Sequence, residues 1–405
     1  MSIRAALPPD GKSWPSLAWE EHAWASSLPV DLLTRAQHAE LSTPYRSAIV
    51  PTIATRDLPL PRSTAAAAEE ATAAIREFDA RVGTHVAPFA AILLRSESAS
   101  SSQIENLTSG AKQIALAELG EEARRNAQQI VGNVHAMQAA TSLADRLDAE
   151  SVLEVHRALM EPTEPAIAGR WRTEPVWIGG SAHSPHRAQF VPPHQSHVPT
   201  AIDDLVAFMA RGDLPALQHA AIAHAQFETI HPFPDGNGRT GRALVHALLR
   251  HRGVTRSVAV PVSAGLLVDT RAYFDALTAY RSGDPAPIVD SLAQASLDAV
   301  VNGGQLVADL DAVRARWTAS VTARSDSAVW PLVDLVLRQP VIGTALVQTE
   351  LGISHTNAMR AISRLVDAGA LVEVGGRRRS ILWQADDVLA ALDAFAARAG
   401  RRGVR

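Results

Sequence analysis

One segment of twelve residues, rich in glycine, constrains this chain more than any other feature. It reads His-Pro-Phe-Pro-Asp-Gly-Asn-Gly-Arg-Thr-Gly-Arg over residues 231–242 and leads into a helical pattern that starts at about Arg239. Gly236, Asn237 and Gly238 tolerate the positive φ angles that turn successive backbone N–H groups to one side. The first N–H groups of the helix lack internal partners, so loop and helix together predict an anion-binding cradle.

The charged side chains of this segment indicate which anion would bind. Arg239 and Arg242 lie three residues apart on one helix face, where both can reach the same polyphosphate. Asp235 at the loop mouth suits the Mg²⁺ that accompanies ATP. His231 ends the preceding helix and faces the cradle, and its near-neutral pKa suits a general base acting on an attacking hydroxyl.

Other kinds of site fit these residues less well. An ordinary glycine-rich helix entry would not require a histidine, an aspartate and two arginines around the loop. A metal site at His219, His224 and His231 would need one tetrahedral face, and spacings of five and seven residues do not supply it. Cysteine is absent, which excludes thiolate sites and disulfides and suits a cytoplasmic location.

Residues 231–242 resemble the Fic family motif H-x-F-x-[DE]-G-N-G-R-x-x-R at every fixed position. The segment 223–228 and the stretch 169–172 are also similar to parts of Fic cores, and the resemblance extends over residues 30–315. It implies AMPylation, in which ATP is bound with Mg²⁺ and His231 deprotonates a Ser, Thr or Tyr hydroxyl of a target protein. The hydroxyl oxygen then attacks the α-phosphate, and pyrophosphate leaves.

The same resemblance implies a role for each motif residue. His231 is catalytic, Asp235 holds the metal, and Arg242 holds the γ-phosphate. Tyr273 corresponds to an aromatic residue of the adenine pocket, although a buried core tyrosine is an equally good interpretation. The implied ATP-binding residues are Asp235, Gly236, Asn237, Gly238, Arg239, Thr240, Gly241, Arg242 and Tyr273.

A second pattern, upstream, resembles the inhibitory helix of Fic proteins. Ser101, Glu105 and Asn106 fit the form [ST]-x-x-x-E-[GN], within a predicted helix at about 97–108. The resemblance implies that Glu105 pairs with Arg242 and so displaces the γ-phosphate. The alternative is a helix N-cap formed by the serines, with Glu105 as an exposed helical carboxylate.

The sequence around this inhibitory pattern predicts two helices. Helical patterns cover 87–97 and 101–119, and the three poor helix formers at 108–110 interrupt the second.

Residues 175–192 predict a β-hairpin. Val176–Ile178 and Gln189–Val191 are β-prone runs on either side of a polar segment, and they resemble the Fic flap. An exposed strand edge there would accept an extended target peptide. A purely structural hairpin is the alternative.

The last part of the chain resembles a winged helix. Gly352 lies at the predicted turn of a helix-turn-helix, and 371–383 predict a wing with Arg377, Arg378 and Arg379 at its tip. From Ala328 onward the chain has 10 arginines against 7 acidic residues, which is a small excess of positive charge for binding DNA phosphates. DNA binding therefore stays open beside protein docking and dimerisation.

Together these patterns predict a mainly α protein with three domains. These are an N-terminal helical segment at 1–118, a Fic catalytic core at 119–318 and a winged helix-turn-helix domain at 326–405. The predicted function is protein adenylyltransferase, autoinhibited in cis. A deAMPylase using the same site and a DNA-binding regulator with a nucleotide-sensing core are the alternatives.

The expected partners follow from this function. They are the hydroxyl group of a target protein, the chain itself as a target, and a second copy in a homodimer. The net charge of −4 does not favour a nucleic acid over the whole chain, and no long apolar run predicts a membrane span.

Overall fold

The computed structural model describes residues 13–24, 34, 41–83, 88–121, 123–181, 183–374 and 381–400. The arginines predicted at the wing tip, Arg377, Arg378 and Arg379, lie outside these residues. The described chain is mainly helical, as the sequence predicts. In this described part, no helix has both the length and the apolar character that crossing a bilayer requires.

The described part of the chain before residue 321 contains two strands and eleven α-helices. In chain order these elements are β1 (Ala18–His22), β2 (Tyr45–Ile49), α1 (Arg62–Gly83), α2 (Pro88–Ile104), α3 (Ala111–Glu118), α4 (Arg125–Ser142), α5 (Ala149–Met160), α6 (Val198–Met209), α7 (Ala216–Ile230), α8 (Asn237–His251), α9 (Val262–Leu266), α10 (Thr270–Arg281) and α11 (Ala286–Ser320).

The second part of the described chain combines four helices with a small sheet. Its elements are α12 (Val329–Arg338), β3 (Val341–Gly343), α13 (Thr344–Leu351), α14 (His355–Asp367), β4 (Val372–Val374), β5 (Leu382–Gln384) and α15 (Asp386–Gly400). The strands are antiparallel in the order β3-β5-β4. Gly352 ends α13 in the left-handed conformation, with φ of 62°, so the predicted helix-turn-helix is present.

Helix α7 lies at the centre of the core. All of its residues are buried, and most of α8 is buried beside it. A helix that is buried on every side must be enclosed by other elements. Here α6, α8, α10 and α11 pack around α7. The loop between α7 and α8 is thereby held on both sides by buried helices.

Helix α2 differs from its prediction. The sequence predicts separate helices at 87–97 and 101–119, but one helix runs unbroken from Pro88 to Ile104. Serines lie within this helix, where the hydroxyls of Ser98 and Ser102 each donate to the carbonyl four residues earlier, at 2.8 Å. The predicted break at 108–110 does occur, between the end of α2 and the start of α3.

Candidate active site

The site is formed where α7 ends and α8 begins. His231 follows α7 and has left-handed backbone angles, φ 50° and ψ 60°, which are uncommon outside glycine. Its N–H donates to the carbonyl of Phe227 at 2.9 Å. The turn leads into the loop before α8, so the histidine lies six residues before a helix start whose first N–H groups lack internal partners.

The loop itself is closed by Asn237. Its side chain accepts from the N–H of Phe233 and donates to the carbonyl of Phe233, both at 2.8 Å. Of the three residues expected to have positive φ, only Gly236 does, at 78°. Since the Asn237 side chain fixes the loop, α8 begins at Asn237 rather than at about Arg239.

The two arginines of the motif are both buried at this helix start. Arg239 Nη2 lies 3.5 Å from Asp235 Oδ2, and within the described residues its Nε has no hydrogen-bond partner. The hydroxyl of Thr240 is likewise buried and unpartnered among these residues. Buried donors are normally satisfied, so these groups indicate a site prepared for an acceptor.

Arg242 is paired with the last turn of α2 and with the residue that follows it. Its Nη2 donates to Glu105 Oε1 at 2.9 Å and to the carbonyl of Ser101 at 2.8 Å. Its Nε donates to the hydroxyl of Ser101 at 2.9 Å. The predicted pair of Glu105 and Arg242 is thus formed, with Glu105 just after the end of α2, and Asn106 next to it in a left-handed turn with φ of 61°.

The two side chains of this ion pair differ in their exposure to solvent. Arg242 has 3% of its side chain exposed, whereas Glu105 has 39% exposed. Burial disfavours the charged guanidinium of Arg242, but Glu105, together with Tyr273 and Glu228, more than offsets burial, so the pKa of Arg242 lies above its usual value. A Cβ at Gly238 would lie 2.0 Å from Glu105 Oε1, so only glycine leaves room for the carboxylate here.

The surroundings of His231 favour a neutral imidazole. Burial, followed by the positive charges of Arg281 and Arg172, lowers its pKa to about 3. Its Nδ1 lies 3.8 Å from Glu228 Oε2. Burial raises the pKa of Glu228 to about 7.

The remaining histidines of α7 have structural partners. His219 lies within 2.9 Å of the carbonyl of Phe208, and His224 lies 2.8 Å from the hydroxyl of Tyr273. Among the described residues, no cluster of three or more His, Asp or Glu side chains is arranged to hold a metal. Tyr273 is 1% exposed, and its predicted place in an adenine pocket stays a prediction.

The flap segment forms less sheet than expected. Its arms are joined by one isolated antiparallel bridge, between Ile178 and Phe190, rather than by two regular strands. The far arm also accepts a backbone hydrogen bond from Ala48 of β2, at the carbonyl of Val191. Partners from β2 replace part of the ladder that the hairpin would need.

Two arginines contact the site without a role predicted for them from the sequence, although Arg172 lies in the stretch 169–172 that resembles Fic cores. Arg281 lies 3.9 Å from the ring centroid of Phe190, and Arg172 donates to the carbonyl of His231 at 2.8 Å. Their partners are a ring and backbone groups that are distant in sequence, so no local spacing could have identified them.

The geometry defines the class of protein. It is a helical domain that presents a neutral histidine and two buried arginines at a glycine-rich helix start. A family model, the Fic/DOC family, matches residues 146–249. This part of the chain is a Fic/DOC domain.

Curated relatives carry the same domain. "Protein adenylyltransferase fic-1" of Caenorhabditis elegans is 31% identical over 156 residues, covering 38% of this chain and 28% of the relative. "Protein adenylyltransferase Fic" of Drosophila yakuba is 30% identical over 164 residues, covering 38% and 29% respectively. The chain therefore spans less than a third of the length of these relatives.

Solved structures of Fic proteins are also similar. A Fic family protein from Desulfovibrio desulfuricans G20 has a TM-score of 0.49 at 20% identity, covering 79% of this chain and 95% of that one. Fic-1 from C. elegans has a TM-score of 0.46 at 21% identity, covering 60% and 74%.

Proposed function

We propose that this chain is a protein adenylyltransferase that moves AMP from ATP onto a Ser, Thr or Tyr hydroxyl of a protein. One arrangement supports this most directly: a neutral imidazole at His231 beside a helix start with buried, unsatisfied donors at Arg239 and Thr240. The matched relatives named protein adenylyltransferases support the same activity.

His231 would act as the general base. Its imidazole takes the proton of the target hydroxyl, the oxygen forms a bond to the α-phosphorus, and the bond from that phosphorus to pyrophosphate breaks. The N–H groups of Asn237 and Gly238 would face the phosphates at the start of α8, beside Gly236, whose N–H donates to Asp235 Oδ1 at 2.6 Å. Positioning and charge stabilisation then supply most of the rate enhancement.

The arginines and small residues of α8 would hold the triphosphate. Arg239 and Arg242 supply charge, and Thr240 supplies an unpartnered hydroxyl. Gly241 allows close packing, because a Cβ there would lie 2.9 Å from the Phe227 ring. Tyr273 stays our proposal for the adenine side of the pocket.

A magnesium ion fits the donor set only as a partner of the nucleotide. Asp235 supplies one carboxylate with 55% of its side chain exposed, at the mouth of the loop. Mg²⁺ commonly binds one or two carboxylates together with phosphate oxygens and waters, so one carboxylate is sufficient. Asp235 would hold the ion, which would neutralise charge on the phosphates.

Glu105 would inhibit the enzyme by occupying Arg242. Charged hydrogen bonds contribute about 1.5–3 kcal/mol, and about 1.4 kcal/mol corresponds to a tenfold change in rate. Since 39% of the Glu105 side chain is exposed, the lower end of this range applies. We therefore expect release of the carboxylate to raise activity about tenfold or somewhat more.

Labelling with α-³²P-ATP and Mg²⁺ tests the base and the inhibitory residue together. We expect Glu105→Gly and Glu105→Gln to incorporate about tenfold more AMP than the wild type, and Glu105→Gly/His231→Ala to incorporate almost none. Glu69→Gln, on the exposed face of α1, is the matched control and should behave as the wild type.

The outcomes separate two activities. Equal labelling by the wild type and both folded Glu105 variants would rule out inhibition by this residue. If none of the variants labels any protein, the transferase proposal fails, and removal of AMP from a modified protein becomes the activity to measure.

For partners, we propose that the target protein docks along the near arm of the flap, at 176–178. The far arm pairs with β2 on one side and with the near arm on the other, which leaves the outer edge of the near arm for an extended peptide. The cytoplasm remains the compartment that we expect, because the chain has no cysteine.

For the helix-turn-helix unit, we propose a protein-contacting role ahead of DNA binding. Arg364, one of the few basic residues of α14, donates to the hydroxyl of Ser327 and is partly engaged. A gel shift with genomic fragments and a sedimentation measurement would test DNA binding and the homodimer.

A further inference from the structure

A single buried arginine links the backbone at His231 to the flap. Arg172 follows α5 and is 4% exposed. Its Nε donates to the carbonyl of His231 at 2.8 Å, and its Nη2 lies 3.5 Å from the carbonyl of Ile230. Carbonyls at the end of a helix have no partner within it, so the guanidinium satisfies groups that α7 leaves open.

The same guanidinium also reaches both ends of the flap segment. Its Nη1 donates to the carbonyl of Glu174 at 3.3 Å, before the near arm, and its Nη2 donates to the carbonyl of Pro193, after the far arm. The backbone N–H of Arg172 donates to the carbonyl of Pro232 at 2.9 Å. Because these partners are all main-chain groups, Arg172 fixes the path of the chain in three segments at once.

The position that Arg172 supports is one that the chain would not adopt by itself. His231 is a left-handed residue without the freedom of glycine, and such an unfavourable conformation persists only where the surroundings enforce it. A planar guanidinium with several fixed donors holds neighbouring carbonyls more rigidly than an ammonium group can.

We infer that Arg172 is a positioning residue for His231, and that it sets the imidazole at a fixed place relative to both arms of the flap. The inference rests on the proposed function, in which the flap presents the target hydroxyl to His231. Arg172 needs no contact with ATP for this role. Its positive charge also helps to keep the imidazole unprotonated, after burial and Arg281.

Kinetics of Arg172 variants in the Glu105→Gly protein test the inference. We expect Arg172→Met to lower kcat about 100-fold, because a displacement of about 1 Å costs this much. The KM for ATP should stay within about twofold, since Arg172 contacts none of the proposed phosphate ligands. Arg172→Lys should recover part of kcat, and Arg170→Met, an exposed arginine two residues earlier, should change neither constant.

A second readout does not require AMP transfer. In the nucleotide-free protein, the ring NMR signal of His231, assigned by its loss in His231→Ala, should shift in Arg172→Met and stay in place in Arg170→Met. The ring signal of His224, which is held by the Tyr273 hydroxyl at 2.8 Å, should not move. If Arg172→Met does not fold, Arg172→Lys provides both measurements, with smaller effects in the same direction.

Two results would overturn the inference. One is an unchanged kcat or an unchanged His231 signal in the folded variant. The other is an equal loss of ATP affinity and kcat with a shifted His224 signal, which would indicate general disruption of the core. If the Glu105→Gly parent transfers no AMP, the proposed function fails, and the His231 signal alone decides the role of Arg172.

Discussion

His231 illustrates how the immediate surroundings set the chemistry of one residue. Its type and spacing from the glycines were readable in the sequence, because a base, a carboxylate and two arginines at fixed intervals indicate phosphate chemistry. Its left-handed backbone and its neutral state were not readable. The neutral state depends on burial and on the charges of Arg281 and Arg172, and the carbonyl of His231 accepts from Arg172. Both arginines lie far away in the chain and are joined to the site only by folding.

The pH dependence of activity should reflect this environment. A histidine pKa lowered from 6.5 to about 3 leaves His231 neutral, and therefore competent as a base, at all pH values above that range. We expect kcat/KM of Glu105→Gly to stay level from about pH 8 to about pH 5.5, because this ratio reports the free enzyme. The profile of kcat should bend at higher pH, since bound phosphates stabilise the imidazolium.

Two controls assign the profile to His231. ATP binding measured over the same pH range removes the titration of the nucleotide. Glu228, whose pKa is raised to about 7 by burial, is tested with Glu228→Gln, which should keep the level profile. A loss of half of kcat/KM near pH 6.5 that persists in both controls would contradict the neutral histidine.

At the scale of elements, helices and the loops between them could be predicted where the helical pattern extends over many residues. The helix-turn-helix at Gly352 and the break at 108–110 are confirmed, because local turn chemistry fixes them. The predicted break between 97 and 101 is wrong, because α2 is continuous there, and the two predicted arms of the flap meet in an antiparallel bridge rather than a regular ladder. The serines of α2 bond to their own helix, and the far arm of the flap bonds to β2, which no local pattern reveals.

The contact between α4 and α5 gives a prediction about stability at this scale. A Cβ at Gly132 would lie 2.4 Å from the carbonyl of Leu159, a backbone atom that cannot rotate away. Alanine favours a helix over glycine by about 1 kcal/mol, but overpacking costs about 1–3 kcal/mol. We expect the clash to outweigh the propensity, so that Gly132→Ala lowers the free energy of unfolding and the Tm.

Leu159 also connects this contact to the active site. Its Cδ2 would lie 2.9 Å from a Cβ at Gly236, so a displaced α5 should also weaken nucleotide binding. Gly110→Ala is the matched control, because a Cβ there meets nothing within 4 Å. Thermal unfolding that gives the two variants the same Tm would show that α4 and α5 separate without cost.

At the scale of the whole molecule, α2 connects three parts of the chain. Glu97, which is fully buried, accepts from the N–H of Ser263 at 2.9 Å and lies 3.1 Å from His246 of α8, so it holds α2 to the core. On the other side, Arg95 reaches the helix-turn-helix unit. Glu105 lies just beyond the free end of the same helix, next to Arg242.

Arg95 is the centre of the contact with the C-terminal unit. It forms a bidentate pair with Glu118 of α3, with distances of 2.9 and 2.6 Å. It also donates to the carbonyl of Arg338 at 2.7 Å and to Gln339 Oε1 at 2.9 Å. A movement of the C-terminal unit would therefore pull directly on the helix that places Glu105.

Breaking this contact should raise basal activity. Removing only one partner of a buried pair costs about 3–5 kcal/mol, whereas replacing both with apolar residues is often neutral, so the variant of choice is Arg95→Met/Glu118→Leu. We expect it to incorporate more AMP than the wild type, up to the level of Glu105→Gly, because a loosened α2 holds Glu105 against Arg242 less often. Added to Glu105→Gly, the double change should give no further increase, since both act on the same ion pair.

The matched control breaks a different ion pair of the C-terminal unit. Arg316 and Asp387 form an exposed pair at 3.1 Å between α11 and α15, without contact to α2, so Arg316→Met should leave incorporation at the wild-type level. A folded Arg95→Met/Glu118→Leu protein with wild-type incorporation would mean that Glu97 alone holds α2 in place. An equal increase in Arg316→Met would mean that any loosening of the C-terminal unit releases Glu105, and that Arg95 has no special part in it.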